Sequence, residues 1–349
     1  MLGAVVAALG MCADGIGEGL YAVRHGYRGR AAAIGFAIAA VLGALTRVVT
    51  PMNFTAESVA VATQAAKERP QIFYIVLLAS VPTVVLGATG LYEPLIGLFD
   101  PGVVAGAVAG VGVLLASVGF GYIRDRRVAG GMSTVFGVAA FLLTEDLTVT
   151  VVASIASGSL AAHFLGARFG EEPDEEAPDA ERPSLIPVRW RDMIARPVLI
   201  GALSLFALRL GTVVSYETVN GELAPGTEPD LNGAFLVNGA ASLASALFGG
   251  PPLDPTPSPT AETAMPVASM VIFAAVMAVL AGAGLVERVG RWVPLESVAG
   301  FLIVVGAFVV LPENVGDVED LPDGVALTVT AFTNPFYGIV AGELVQLLH

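Results

Sequence analysis

A four-residue stretch that occurs twice constrains this chain more than any other feature. Thr55-Ala56-Glu57-Ser58 is repeated 205 residues later as Thr260-Ala261-Glu262-Thr263. Each copy follows a proline-containing, irregular run, residues 50–54 in the first and 251–259 in the second, and each leads into small apolar residues. Each therefore reads as extended chain, then a helix start, with a carboxylate in the first helical turn. The flanks echo too: Gly90-Leu91-Tyr92-Glu93 against Gly284-Leu285-Val286-Glu287, Val104-Ala105-Gly106 against Val298-Ala299-Gly300, and Gly112 against Gly306, all at an offset of 194. Upstream, 35–45 and 239–248 are both small, apolar and helical in pattern. This is an internal duplication of about half the chain. Because the offset falls from 205 to 194, the second copy is 11 residues shorter just after its glutamate.

Both breaks lie between long apolar segments. The chain is 55% hydrophobic and 14% charged, with a mean hydropathy of +0.77, whereas a soluble chain carries about 25% charge. Residues 31–46 and 102–123 hold no charge at all, enough for a span or most of one. This pattern is that of a polytopic membrane protein. Residues 1–13 are apolar but lack a basic leader and a clear cleavage site, so they read as the first span and not as a signal peptide.

Seven segments are expected per half: roughly 1–23, 31–48, 54–66, 71–92, 102–123, 128–144 and 147–167, then 195–216, 231–248, 259–267, 268–287, 294–312, 323–332 and 334–348. The third of each half crosses only about half the membrane core, and the last two of the second half are also short. Residues 170–197, rich in Glu, Asp and Pro, read as a solvated linker between a first repeat (1–169) and a second (198–349). The basic residues test the count. Fifteen of the 17 Lys and Arg fall in loops on one side, leaving only Arg47 and Arg209. The opposite loops carry Glu93 and Asp100, Glu145 and Asp146, Glu217 to Asp230, and Glu313 to Asp323. The positive-inside rule puts the basic loops in the cytoplasm of a cell-membrane protein and both termini outside. Seven is odd, so the second half enters the membrane upside down. The expected fold is an all-α polytopic 7+7 inverted repeat, as in secondary transporters, with two half-helices preceded by short extended segments at the midplane.

Irregular backbone at membrane depth is tolerated only where protein buries it or a cavity hydrates it. Two breaks at matching places point to a central binding site, with half-helix N–H groups and positive dipole ends aimed at it. Glu57 and Glu262 then read either as helix-capping acids or as substrate and proton contacts; at bilayer depth the functional reading is the default. Asp14 and Glu18, four residues apart on the first helix, share a face. Arg209, inside an apolar segment, either snorkels to a surface or pairs with a buried acid, Glu262 being the leading candidate. Phe54 beside the break either stacks on a flat ligand or packs. The lone Cys12 and the scattered His25, His163 and His349 make no disulfide or metal pattern. No Walker A loop appears, nor any Ser/Lys, Ser/His or His/Glu cluster, so no catalytic or metal site, no enzyme activity and no cofactor beyond a coupling H⁺ or Na⁺ is expected.

Residues 235–250 (FLVNGAASLASALFGG) followed by 259–263 (PTAET) resemble the signature of the nucleobase–ascorbate transporter family, which includes uracil, xanthine and hypoxanthine/guanine-type permeases. Residues 13–18 (ADGIGE) resemble the family's eighth helix, with its substrate-binding carboxylate; residues 57–63 (ESVAVAT) resemble its tenth, and 334–342 (NPFYGIVAG) its last. The first half here thus resembles the family's second half. Asp14 stands where Glu is usual, Ser58 and Thr263 where Asn often follows, and Arg209 departs from the pattern. The resemblance implies an elevator-type secondary transporter with core and gate domains that moves a nucleobase-like molecule with H⁺ or Na⁺. Asp14, Glu57, Phe54, Thr55, Ser58, Thr260 and Glu262 would form the substrate site, and Asp14, Glu18 and Glu57 would carry the coupling ion. Its partners would be a small-molecule substrate and the lipid bilayer, with a homodimer admitted and no nucleic acid. Two other readings stand beside it: an anion carrier like the sulfate permease family, which Arg209 and the half-helix N-termini would suit, and a non-transporting membrane scaffold or receptor.

Overall fold

The computed structural model describes the chain except for residues 1, 67, 166–180, 188, 225, 257, 259, 262, 291–293 and 349. The first repeat runs α1 (Leu2–Arg24), α2 (Ala32–Thr46), β1 (Met52–Asn53), α3 (Ala56–Ala65), α4 (Arg69–Thr89), α5 (Tyr92–Ile96), α6 (Pro101–Asp125), α7 (Arg127–Thr144) and α8 (Leu147–Phe164). After a short α9 (Trp190–Met193), the second runs α10 (Arg196–Leu223), α11 (Leu231–Leu247), β2 (Asp254–Pro255), α12 (Pro266–Gly282) and α13 (Leu285–Gly290). It ends with α14 (Ala299–Val304), a π-helical turn (Val305–Val310), α15 (Leu311–Val315), α16 (Leu321–Phe332) and α17 (Pro335–Gln346). Six helices among the described residues are long and apolar enough to cross a membrane, and shorter apolar helices join them. The protein is a multi-pass membrane protein with a 7+7 inverted-repeat fold. The expected boundary between first repeat and linker lies outside the described residues.

Local chemistry explains where the helices start. Asp100 accepts from the N–H groups of Gly102 and Val103 ahead of α6, Asp230 from Gly233 at α11, and Asp320 and Asp323 form a reciprocal capping box on α16. Part of the acidic face predicted from the loops is therefore a set of N-caps. Arg28, between α1 and α2, and Arg69, the first residue of α4, converge on Glu181. Residues 186 and 187, ahead of α9, are further held by the Ile186 N–H on the Leu247 carbonyl and by the Tyr74 hydroxyl on the Pro187 carbonyl.

The two repeats differ at their third segment. In the first, α3 is a 10-residue half-helix, about 15 Å long. In the second, the described residues of the expected 259–267 half-helix form a turn at Thr260–Ala261 and bends at 263–265, and helix resumes only at Pro266. The reason is length. The 11-residue shortening removes as much chain as α3 contains, and too little remains between the break and α12 to nucleate a separate helix.

Helices α2, α4, α11 and α12 pack as one group and α6–α8 with α14–α17 as another, while α1, α3 and α10 touch both. The repeat counterparts Gly112 and Gly306 meet where α6 crosses the π-helical turn. A Cβ on Gly112 would stand 2.6 Å from the Gly306 carbonyl oxygen, and one on Gly306 would meet the Gly112 carbonyl and lie 2.7 Å from the Ala116 nitrogen. Small residues permit such backbone approach in membranes. Gly306→Ala should therefore destabilise the fold by about 1–3 kcal/mol, seen as a lower unfolding temperature in detergent. Gly121→Ala, whose Cβ would meet nothing within 4 Å, should leave it unchanged; equal effects of the two would refute the crossing.

Candidate functional site

The two breaks satisfy each other. β1 and β2 pair antiparallel, Met52 opposite Pro255 and Asn53 opposite Asp254, and the Thr256 N–H donates to the Pro51 carbonyl. Asn220 of α10 fastens the second break: its Nδ2 donates to Thr50 Oγ1 at 3.1 Å and to the Thr256 carbonyl at 3.0 Å, and its Oδ1 accepts from the Ser258 N–H at 3.0 Å. Backbone groups that a bilayer cannot satisfy are thereby paired inside the protein.

Behind this ribbon lies a buried charge pair. Arg209, on α10 and fully buried, donates from Nε to Asp254 Oδ1 at 2.7 Å, from Nη1 to Ser80 at 3.0 Å and from Nη2 to Ser242 at 2.8 Å. Asp254 Oδ1 also accepts from Asn238 Nδ2 at 2.6 Å, and its Oδ2 from the Thr55 hydroxyl at 3.3 Å. Arg209 neither snorkels to a surface nor stands alone. Its acid is Asp254, whereas Glu262, the partner expected from the sequence, lies outside the described residues. The register of β1 against β2 explains the choice, because it carries the Asp254 carboxylate onto α10.

A cavity of about 460 Å³ opens beside the ribbon. From the first repeat it is lined by Met11 and Glu18 of α1, by Thr55 and Glu57 at the start of α3, and by residues 144–147 between α7 and α8. From the second come Tyr216 and Leu223 of α10, Thr256 and Ser258 after β2, and Val305, Val309, Val310 and Glu313 along the π-helical turn and α15. A π-helical turn beside a cavity often marks a functional place. Glu18 and Glu57 are 7% and 6% exposed, so the carboxylates from α1 and α3 reach one enclosed space. The described lining holds Glu18, Glu57, Glu145, Asp146 and Glu313 but no Lys, Arg or His. Tyr216 is 4% exposed and stands close enough to Glu57, Glu313 and Glu18 for their charges to act on its phenol.

Of the expected site residues, Glu18, Glu57 and Thr55 line this cavity. Phe54 does not: it is fully buried and packs edge-to-face on Phe36 with ring centroids 5.1 Å apart. Ser58 is buried away from the lining, and Thr260 is buried on Ser258, with 2.8 Å between their hydroxyl oxygens. Asp14 lies on α1 one turn before Glu18, but its side chain is outside the described part. Ser258, Tyr216, Glu313 and Asp254 were not expected. A signal existed for Ser258, the counterpart of Asn53 at the 205-residue offset, and for Asp254, an acid inside the proline-rich break. None existed for Tyr216 or Glu313.

No protein-family model matches the sequence and no curated protein matches it, but solved structures match its fold. The transmembrane domain of a cyanobacterium bicarbonate transporter, BicA, matches with a TM-score of 0.58 at 16% identity, over 95% of this chain and 97% of that one. SLC26A9 matches with a TM-score of 0.61 at 12% identity, over 95% of this chain and 64% of that one. The murine Slc26a9 anion transporter in its inward-facing state matches with a TM-score of 0.68 at 13% identity, over 100% of this chain and 68% of that one. These matches correct the resemblance to nucleobase–ascorbate transporters, a distinct family with a similar 7+7 fold, and with it the implied exchange of halves. The residues behind that resemblance make the shared architecture: Asn238 and Ser242 hold the break, and Gly239 lets α11 approach α4. These three carry packing, while Glu18 and Glu57, from the other stretches that carried the resemblance, line the cavity.

Proposed function

We propose that this chain is a secondary transporter of a small anion and that the anion enters together with protons. The observation that carries the reading is the cavity at the β1–α3 break, on a fold shared with a bicarbonate transporter and SLC26A9. Hydrogen-bond donors come from the Ser258 and Tyr216 hydroxyls, and the positive end of α3 adds its dipole. Arg209 does not neutralise the cargo, because Asp254 occupies it. An anion beside ionised Glu18 and Glu57 is repelled. Protonating either one removes a negative charge and adds an O–H donor, so anion binding and proton binding support each other. The one-sided arginines favour a cytoplasmic basic face, with the cavity open on the opposite side.

The test is uptake into proteoliposomes of labelled bicarbonate, chloride and sulfate under an imposed pH gradient, with and without Na⁺. Uptake of one of these anions should rise as the side the cavity faces is acidified. Absence of uptake for all three would reject the reading and favour a scaffold or receptor. Uptake that follows Na⁺ and ignores pH would transfer coupling to Na⁺.

A further inference from the structure

Thr55 is the N-cap residue of α3. A threonine at that position usually turns its side-chain oxygen onto the N–H of the second or third helical residue, here Glu57 or Ser58. Thr55 makes no such cap. Its hydroxyl instead donates to Asp254 Oδ2, and Asp254 is fixed from its other oxygen by Arg209 and Asn238. The second repeat thus holds the cap of the first repeat's half-helix away from the helix. Across the same cavity Tyr216, more than nine-tenths buried, has no hydrogen-bond partner among the described residues. A buried phenol with nothing to bond and a helix start with its cap withdrawn are the two halves of an anion's surroundings.

We infer that Asp254 is a positioning residue that keeps the N-terminus of α3 uncapped for the anion, with Arg209 cancelling the charge this would otherwise place behind the site. The inference rests on the anion reading above and adds the device that prepares the site. Without Asp254 the Thr55 hydroxyl is released, it caps α3, and the anion competes with an internal acceptor for the same N–H groups. Arg209 is needed because an unpaired Asp254 carboxylate, one hydrogen bond from the cavity, would repel the anion it serves.

Asp254→Leu alone leaves Arg209 charged and buried, so the pair is removed together as Arg209→Met with Asp254→Leu, which leaves no acceptor for the Thr55 hydroxyl, with Thr55 retained or replaced by valine. In vesicles supplied with the labelled bicarbonate, chloride or sulfate that the wild type takes up, the double variant should raise KM about tenfold, the scale of one lost helix-terminus interaction, with kcat changed little. Adding Thr55→Val, which removes the competing acceptor, should bring KM back to within about twofold of the single Thr55→Val variant. A merely structural pair would lower kcat or stability whatever stands at position 55. An unchanged KM in the double variant, or a KM rise that persists with valine, would overturn the inference. Hydrogen exchange supplies a readout independent of transport: the Glu57 and Ser58 amides should be better protected in the double variant than in the wild type, and the gain should vanish with Thr55→Val. If the wild type moves none of the anions, the anion reading fails and this exchange pattern alone judges the Thr55–Asp254 link, with unchanged protection overturning it.

Discussion

Arg209→Leu should cost about 3–5 kcal/mol of stability, the range for removing one partner of a buried ion pair. Arg209 is fully buried and Asp254 2% exposed, so the carboxylate left behind cannot recover water. Guanidinium does not deprotonate to escape burial, which makes Asp254→Leu as damaging from the other side. It would strand a permanent charge with Ser80 and Ser242 as its remaining partners among the described residues. Removing both partners should cost much less than the sum of the two, since neither charge is then left alone. Arg209→Leu, Asp254→Leu and the combination can be compared by thermal unfolding in detergent. Strictly additive losses would mean that the pair contributes nothing as a pair. The same variants carry a structural consequence, because Arg209, Asp254, Ser80 and Ser242 join α10, β2, α4 and α11 at one point. Loss of the pair should therefore loosen the second break first, as faster exchange of the Leu253 amide, which now donates to Ser242 Oγ.

The second large effect is expected at Glu57. Glu57→Gln should abolish pH-driven accumulation of the anion while leaving anion counterflow intact. A unit charge about 5 Å from an anion, at an effective dielectric of about 20, is worth about 3 kcal/mol, or about a hundredfold in affinity. The glutamine is permanently neutral. At a pH where the wild-type carboxylate is ionised, the variant should bind the anion more tightly by up to that factor and lose the rise of uptake on acidification. The sign is fixed by repulsion: raising the pH ionises Glu57, and uptake by the wild type falls. Exchange of labelled for unlabelled anion needs no net proton movement and should survive. Accumulation that still follows the pH gradient in Glu57→Gln would move the coupling proton to Glu18, which lines the same cavity on α1.

Much of this architecture is legible in the residues themselves because it rests on local properties. Apolar segment length, proline-marked breaks and a duplicated Thr-Ala-Glu are visible along the chain. The constant offset linking Gly112 to Gly306 even anticipates a contact, since a two-fold relation between repeats can bring such counterparts face to face. The shortening after Glu262 was also visible, yet its outcome was not. The missing eleven residues could have come from the half-helix or from the connection after it, and the start of α12 at Pro266, packed on α2, decides between the two. The partner of Arg209 was undecidable for the same kind of reason. Asp254, Glu262 and Asp14 are equally good acids in a string of letters, and only the pairing of β1 with β2 carries one of them onto α10. Phe54 beside the break has the chemistry of a ligand platform, but Phe36 claims it, because burial of an aromatic ring is decided by what stands opposite. Tyr216 and Glu313 enter the site from helices whose own patterns look like ordinary spans, and only their convergence makes them neighbours of Glu57. Sequence determined the repeat, the breaks and the membrane; the tertiary structure decided which distant charges and hydroxyls meet at the break, because electrostatic and hydrogen-bond partnerships depend on ångström-scale separations that residues far apart in the chain acquire only on packing.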